Sequence, residues 1–532
     1  MYTVADLIVH RFLDAGVRGL FGMPGGGSNL DLLEAAAEAK VPFVLSHTET
    51  AGALMACAQA EITRAPGVCL ATLAPGVASL ANGVAHARLD RVPLIVVTDG
   101  LPVAARGTYE HQYFDHAAFF SPLVKRSMLV DARGAGRAAA EAVTVALAAP
   151  PGPVHLDCPS DIASREAERD PGDRPAAAAR ITVADADLPA ALFARARRPL
   201  VIAGLGVATA PEAARLRALC ERRGMPALVT YKAKGVVPDG HSSFAGVFTH
   251  AALEEPFVRS ADLIVAVGLD PVELLPRPWT YLQPVVACGP WPNDGRHVPV
   301  AAQAVGDLCD LLATLDERLP ADTAWSAAEI RRQADGQRQA VRVDAAGLAP
   351  YRAVEAAARA VGHDARVTVD AGAHMFPIMA LWPVSEPRQL LISNGLSTMG
   401  FALPAAIGAA LLDRPHRVVA LTGDGGLLVC LGELATLGRE RLPITVVVFS
   451  DRSLSLIRIK QERRGHRTDG VALGRIEWPG LARSLGLHGA LATDAAELER
   501  RIAETMTSGE PALVEAAIDA SAYPATLKAV RG

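Results

Sequence analysis

Two apolar segments of strand length flank a helix-like stretch near the end of this 532-residue chain. The first, 417–422, leads into the glycine-dense turn 423–426, and the second, 444–449, leads into Asp451. A strand, a helix and a second strand within about 35 residues form a βαβ unit, whose two parallel strands end at the same edge of a sheet. Asp424 and Asp451 are therefore expected at one rim of an α/β domain.

This predicted rim has the composition of a metal and diphosphate site. Magnesium is usually held by one or two carboxylates together with carbonyl, water and phosphate oxygens. The bare backbone of Gly423, Gly425 and Gly426 can approach phosphate oxygens closely. Taken alone, the Gly423–Gly425 segment also fits an ordinary surface turn.

Composition bounds the class of protein. Half of the residues are hydrophobic and 20% are charged, so a chain of this length is expected to form several globular domains. The net charge is −5 and there is no basic block, which argues against a nucleic-acid groove or a membrane-binding face and favours small-molecule partners. The seven scattered cysteines indicate buried thiols in a reducing compartment, and we expect a cytoplasmic protein. Charged residues at helical spacing within 1–17, and the lack of any apolar run of about 18 residues, predict neither a signal peptide nor a membrane span.

Alternating strand and helix patterns predict three doubly wound, open-sheet α/β domains, over 1–165, 185–325 and 345–532. The segment 164–180, rich in Arg, Ala, Asp and Pro, is interpreted as a linker. In the central domain the Gly204-Leu205-Gly206 turn has Thr209 where a dinucleotide fingerprint has its third glycine. A structural turn is therefore favoured over a dinucleotide site.

The chain resembles the thiamine diphosphate enzymes of the acetolactate synthase and 2-oxo acid decarboxylase superfamily over nearly its whole length. The Gly-Asp-Gly motif of that family matches Gly423-Asp424-Gly425, and its second metal ligand, usually Asn, corresponds to Asp451. The resemblance implies that the main-chain carbonyl of Ser453 is a third ligand. It also implies that the first domain binds the pyrimidine of the coenzyme, that the third binds its diphosphate, and that the second is a central domain between them.

The resemblance assigns further coenzyme contacts. Glu49 corresponds to the glutamate that bonds to the pyrimidine ring and activates the coenzyme. Met399 corresponds to the apolar residue that supports the bent coenzyme, and Ser397 replaces a glycine whose carbonyl receives the pyrimidine amine. Gly426 and Leu454 complete the coenzyme-binding set. From the residues alone, Ser46-x-x-Glu49 also fits a helix capping box, and Met399 also fits an ordinary core position.

Substrate-side residues follow from the same resemblance. Gln112 and His111 match a loop that faces the thiazolium, where they are expected to donate hydrogen bonds. Gly26 and Gly27 belong to a loop next to the substrate, and Leu456 and Ile457 belong to the helix that walls the substrate pocket. The alternatives are that Gln112 and His111 are ordinary exposed polar residues, and that Leu456 and Ile457 are ordinary core residues.

The resemblance implies a thiamine diphosphate- and Mg²⁺-dependent enzyme that decarboxylates a short 2-oxo acid such as pyruvate and joins the product to an acceptor. The alternative is a decarboxylase that releases an aldehyde, and a non-catalytic relative is a third possibility. The flavin-binding segment of some synthases is not visible here, so no required FAD is expected. A homodimer or homotetramer with active sites between subunits is implied.

Overall fold

The computed structural model describes residues 2–168, 188–412 and 417–532. Most of the predicted linker, 164–180, lies outside the described residues. Its first part is not a linker, because Glu166–Ala167 forms a short antiparallel pair with Tyr2–Thr3. The helical spacing of residues 1–17 agrees with helix Val4–Asp14. This helix begins with a capping box at Thr3.

The first domain is built on a six-stranded parallel sheet. In spatial order its strands are Phe43–Leu45, Leu20–Met23, Gly67–Ala71, Leu94–Gly100, Val154–Pro159 and Arg126–Leu129. Its longer helices are Val4–Asp14, Ser28–Glu38, Glu49–Thr63, Ala74–Leu89 and Ala135–Leu147, with a short helix at His116–Phe120. Five of the strands were predicted from apolar runs, whereas the partly exposed edge strand Arg126–Leu129 was not.

The central domain has a second six-stranded parallel sheet. In spatial order its strands are Phe244–Val247, Ala227–Val229, Pro199–Ala203, Leu263–Val267, Val285–Gly289 and Ala302–Val305. Its helices are Ala190–Ala194, Ala210–Arg223, Glu255–Arg259 and Leu308–Arg318, and helix Ala327–Ala340 follows. That last helix, which is rich in charged residues, leads to the third domain.

The third domain repeats the strand order of the first. In spatial order its strands are Leu390–Ile392, Arg366–Val369, Val418–Gly423, Ile444–Ser450, Ala512–Ala517 and His488–Ala492. Its helices are Pro350–Val361, Met375–Leu381, Ala402–Leu412, Asp424–Val429, Glu433–Glu440, Ser455–Arg463, Trp478–Ser484, Ala495–Ser508 and Tyr523–Arg531. The sequence predicted one helical stretch between the strands that lead to Asp424 and Asp451. The structure has two helices there, Asp424–Val429 and Glu433–Glu440. The three parallel-sheet α/β domains confirm the predicted fold class.

Contacts divide the chain into two compact units that do not follow the domain order. The first unit contains residues 1–179, 395–418 and 427–444, and the second contains 180–394, 419–426 and 445–532. Two segments of the third domain therefore belong with the first domain. None of the helices in the described ranges is long and apolar enough to cross a membrane.

Candidate functional site

The rim of the third sheet brings the two predicted aspartates together. Asp424 begins helix Asp424–Val429 immediately after strand Val418–Gly423. Its Oδ2 accepts hydrogen bonds from the amides of Asp451 and Arg452, at 3.1 and 2.6 Å. The two strands of the βαβ unit do end at one edge, as their spacing predicted.

Asp451 is held from the other side. Its Oδ1 accepts the amide of Ser453 at 3.0 Å and its Oδ2 accepts the hydroxyl of Ser455 at 2.6 Å. Burial, and then the nearby charge of Asp451, raises the pKa of Asp424 to about 6. Burial also raises the pKa of Asp451. The fold thus confines two anionic groups that a bound cation would stabilise.

The donor set at this rim fits a hard divalent cation. A carboxylate has about four lone-pair directions, and the hydrogen bonds on Asp451 use two of them. The hydroxyl of Ser453 is buried without a hydrogen-bond partner among the described residues. Oxygen donors of this kind are what Mg²⁺ prefers, so the residues present fit the metal.

A third carboxylate and a histidine complete the crevice, and sequence reasoning missed both. Asp370 follows strand Arg366–Val369 and its Oδ2 accepts the hydroxyl of Thr422 at 3.0 Å. A Cβ on Gly426 would lie 2.2 Å from the same oxygen, so glycine is needed there. His374 is buried against Gly423, and its Nε2 has no hydrogen-bond partner among the described residues. Burial lowers the pKa of His374 to about 4, which keeps the ring neutral at pH 7. The signal available in the sequence was the presence of Asp370 and His374 directly after the apolar residues of strand Arg366–Val369.

Glu49 is the first residue of helix Glu49–Thr63 in the first domain and is 8% exposed. The capping-box alternative is wrong, because the helix is capped by Thr48, whose hydroxyl accepts the amide of Ala51. The Ser46 hydroxyl instead donates to the carbonyl of Thr48. Gly76 lies beside the carboxylate, since a Cβ there would be 3.2 Å from Glu49 Oε1. The Glu49 side chain is therefore not used by the helix cap.

The loop with Gly26 and Gly27 is fixed by Asp99. The carboxylate of Asp99 accepts the Ser28 hydroxyl at 2.8 Å and the Asn29 amide at 2.7 Å. A Cβ on Gly27 would approach Asp99 to 3.1 Å, whereas one on Gly26 would meet nothing within 4 Å. Gly26 thus faces open space at the carboxyl end of the first sheet.

Gln112 and His111 lie on an exposed loop. The Gln112 carbonyl accepts the amide of Ala74, the first residue of helix Ala74–Leu89, at 3.1 Å. Gln112 adopts a left-handed backbone with φ of +53°. Because Gly76 of the same helix lies against Glu49, the first unit brings the Gln112 loop to the neighbourhood of that carboxylate.

Ser397 and Met399 occupy a turn before helix Ala402–Leu412. Ser397 has φ of +54°, a left-handed conformation that favours the glycine usual in the family. Met399 is 36% exposed, so it is not an ordinary core residue. Val429, exposed by 59%, is close to this turn because its side chain would lie 3.0 Å from a Cβ on Gly400.

The residues after Asp451 separate into two groups. The Leu454 amide donates to the Val471 carbonyl at 2.8 Å, and helix Ser455–Arg463 begins next. Leu456 packs against the core of the third domain, whereas Ile457 is exposed by 46%. Only Ile457 of this pair presents its side chain to an open surface.

The predicted site residues are shared between the two compact units. The first unit contains Gly26, Gly27, Glu49, His111, Gln112, Ser397 and Met399, and the second contains Gly423, Asp424, Gly425, Gly426, Asp451, Ser453, Leu454, Leu456 and Ile457.

The turn after the first strand of the central domain does not fit a dinucleotide phosphate. The Leu205 amide donates to Glu273 Oε2, and the Gly206 amide donates to the Gly268 carbonyl, both at 2.9 Å. The Thr209 amide donates to Glu212 in a capping box. The amides that would face a phosphate are engaged, and a carboxylate stands at the position of the anion.

Comparison with known proteins assigns the chain to a family. Three models match it: "Thiamine pyrophosphate enzyme, N-terminal TPP binding domain" over residues 2–119, the "central domain" of that enzyme over 187–315, and its "C-terminal TPP binding domain" over 370–516. The chain belongs to the thiamine pyrophosphate enzymes. Within this family it is acetolactate synthase-like.

Curated relatives align along nearly the whole chain. The acetolactate synthase isozyme 1 large subunit of Escherichia coli (strain K12) is 30% identical over 545 residues, covering 98% of this chain and 95% of the relative. The catabolic acetolactate synthase of Raoultella terrigena is 30% identical and covers 97% and 95%. The acetolactate synthase of Bacillus subtilis (strain 168) is 28% identical and covers 97% and 93%.

Proposed function

We propose that the protein is a thiamine diphosphate- and Mg²⁺-dependent enzyme that decarboxylates a short 2-oxo acid such as pyruvate and joins the remaining carbon unit to an acceptor. The family and the full-length likeness to acetolactate synthases support the coenzyme and the substrate class. The observation that carries the proposal is the buried Asp424–Asp451 pair at the rim of the third sheet.

In this proposal the third domain holds the metal and the diphosphate. Asp424 and Asp451 would bind Mg²⁺ through carboxylate oxygens, with the carbonyl of Ser453 as a further ligand. Gly425 and Gly426 would let the start of helix Asp424–Val429 approach the phosphates, and Leu454 would contact the coenzyme. Bound thiamine diphosphate would supply the nucleophilic carbon and the electron sink for decarboxylation.

The remaining residues act on protons, orientation and water. Glu49 would exchange a proton with the pyrimidine of the coenzyme through a carboxylate that the helix cap does not use. Met399 would support the coenzyme through its exposed side chain, next to the Ser397 carbonyl. Gln112 and His111 would donate hydrogen bonds to substrate oxygens, while Gly26, Gly27 and Ile457 would line its pocket and help to exclude water.

Product analysis tests the reaction. The protein is incubated with pyruvate, thiamine diphosphate and Mg²⁺, and the products are identified by mass spectrometry. We expect carbon dioxide together with acetolactate, and loss of both when the metal is removed by a chelator. Acetaldehyde as the sole organic product would support the aldehyde-releasing alternative. Turnover of neither pyruvate nor longer 2-oxo acids, alone or with aldehyde acceptors, would refute the proposal.

No flavin is required in this proposal, because the central turn presents Glu273 where a phosphate would lie. Full activity of colourless protein without added FAD is the expected result. We further propose a homodimer or homotetramer with active sites between subunits, since Met399 and Val429 leave apolar surface open. Light scattering in solution checks the mass. Location in the cytoplasm is proposed from the seven scattered and mostly buried cysteines.

A further inference from the structure

Glu433 is a buried carboxylate to which the proposed chemistry gives no role. It begins helix Glu433–Glu440 and is only 1% exposed. Burial raises its pKa, while hydrogen bonds from backbone amides lower it. Although Glu433 belongs to the third domain by sequence, it lies in the first compact unit together with Glu49.

Its hydrogen-bond partners are the two residues that precede Glu49. Glu433 Oε1 accepts the amide of His47 at 2.8 Å, and the backbone amide of Thr48 lies near the same carboxylate. Oε2 accepts the hydroxyl of Thr436 at 2.8 Å, and that hydroxyl lies 2.9 Å from Nδ1 of His47. One carboxylate thus engages the backbone of His47 and, through Thr436, its side chain.

Neighbouring contacts fix the same loop. Arg439, six residues further along the Glu433 helix, donates to the carbonyl of Leu45 at 2.6 Å. Gly432 packs so closely that a Cβ there would lie 2.8 Å from the Cβ of His47. A segment of the third domain therefore holds this loop at both Leu45 and His47.

The position of Glu49 depends on this loop. Strand Phe43–Leu45 ends before it, and Thr48 is the cap residue of the helix that Glu49 begins. The amide of His47 belongs to neither a strand ladder nor a helix, so the carboxylate of Glu433 supplies its acceptor. A hydrogen bond between an amide and a carboxylate is about twice as strong as a neutral one.

We infer that Glu433 is a positioning residue that aims Glu49 by holding the loop segment 47–48 that precedes it. The inference deepens the proposed function and rests on it, because Glu49 matters only if it activates a coenzyme. A displacement of about 1 Å in a catalytic group can cost about 100-fold in rate. Loss of the Glu433 contacts is expected to act on the proton step at Glu49 and not on diphosphate binding.

In the same compact unit, residues of the first domain in turn hold a segment of the third domain. Thr398 donates its hydroxyl to Asn82 Oδ1 at 2.8 Å, and the Gly395 amide donates to Asp90 Oδ1 at 3.3 Å. Asn82 lies on helix Ala74–Leu89, and Asp90 caps its C-terminal end. The first domain thus holds the turn with Met399 while a segment of the third domain holds the loop with Glu49.

Side-chain length gives the sharpest test. Glu433→Gln keeps the length and one carbonyl oxygen for the His47 amide, and its NH₂ group can donate to Thr436. Glu433→Asp keeps the charge but withdraws the carboxylate by one methylene, about 1.5 Å. Glu433→Ala removes the acceptor. Glu254→Ala is the matched control, because Glu254 is another buried glutamate that accepts two loop amides, of Thr249 and Ala251 at 2.7 and 2.9 Å, in the central domain.

Two measurements are made on the full-length protein. Amide hydrogen exchange of the segment 46–49 is followed without coenzyme. Exchange of the C2 proton of bound thiamine diphosphate is followed with Mg²⁺ present, alongside the dissociation constant of the coenzyme. Glu49→Gln provides the reference for a lost proton step.

For Glu433→Asp and Glu433→Ala we expect amide exchange in the segment to be faster by about tenfold or more, and C2 exchange to be slower by about 10- to 100-fold. The coenzyme dissociation constant should change by less than about threefold, and Glu433→Gln should stay near the wild type in both measurements. Glu254→Ala should lower the melting temperature without altering either. Wild-type amide protection and C2 exchange in folded Glu433→Asp would overturn the inference. Lack of C2 exchange in the wild type would instead refute the proposed function, and the amide measurement would still decide the role of Glu433.

Discussion

The first and third domains have the same strand order but opposite chemistry at the carboxyl ends of their strands. In each, the first strand lies between the second and the third, which opens a crevice where ligands of doubly wound sheets bind. In the third domain the crevice contains the carboxylates of Asp370, Asp424 and Asp451 around a glycine turn. In the first domain the glycine turn is packed on a single carboxylate, Asp99.

The two crevices differ in the groups that surround their carboxylates. Asp99 accepts hydrogen bonds from the Ser28 hydroxyl and from both nitrogens of Asn29, so it serves to shape the loop. Asp424 also accepts backbone amides, but its burial and then the nearby charge of Asp451 raise its pKa to about 6. A shared topology therefore provides the crevice, whereas the local partners of each carboxylate decide whether the crevice suits a cation.

The largest effect is expected at Glu49, whose carboxylate is not used by the helix cap. Glu49→Gln should slow C2 proton exchange of bound thiamine diphosphate by about 100- to 10,000-fold, because a positioned acid or base contributes that much. The coenzyme dissociation constant should stay within about threefold of the wild type. Normal C2 exchange in this variant, measured by quenched-flow and NMR, would remove Glu49 from the proposed mechanism.

The second-largest effect is expected at the proposed metal site of Asp424 and Asp451. Asp424→Asn should weaken Mg²⁺-dependent coenzyme binding by about 100-fold or more, because a charged ligand is lost. Asp99→Asn is the matched control in the first crevice, and it should lower stability by about 1–3 kcal/mol while metal affinity remains unchanged. Titration calorimetry and thermal unfolding separate the two outcomes. Equal loss of metal affinity in both variants would contradict the division of roles between the crevices.

The raised pKa of Asp424 predicts a pH dependence of metal binding. Mg²⁺ binds the carboxylate form, so the proton competes with it below pH 6, and the dissociation constant should rise by up to about tenfold per pH unit. Without metal, the folded protein binds this proton more tightly than the unfolded chain does. The contribution of Asp424 to the free energy of unfolding therefore decreases as pH rises from about 4 to about 6. A metal affinity that is constant between pH 5 and 8 would show that Asp424 is not a ligand.

The smallest effect is expected at the turn with Met399. Ser397 pays for a left-handed backbone, so Ser397→Gly should relieve strain and change the free energy of unfolding by less than about 1 kcal/mol. C2 exchange should be unaltered, because a carbonyl at this position is present in both residues. A large loss of coenzyme affinity, seen by calorimetry, would indicate that the Ser397 hydroxyl itself is used.

Much of this fold could be predicted from the sequence because strands and helices follow from local apolar periods. The apolar runs at 417–422 and 444–449 predicted both the βαβ unit and the meeting of Asp424 with Asp451, and the structure has strands Val418–Gly423 and Ile444–Ser450 there. The edge strand Arg126–Leu129 was missed because it is partly exposed and has no continuous apolar run. The capping-box interpretation of Glu49 was wrong because Thr48 competes with Ser46 as the cap residue.

The three α/β sheets and most of the residues at their strand ends could be predicted from the amino-acid sequence, because the position at which an apolar run ends is a local property. The partner of each buried polar group could not be predicted, because tertiary packing sets it. Glu433 reaches the loop of Glu49 across 386 residues of chain, and Asp99 reaches Ser28 across 71. No periodic pattern records such contacts, since they depend on how separate elements pack and on the requirement that buried donors find acceptors.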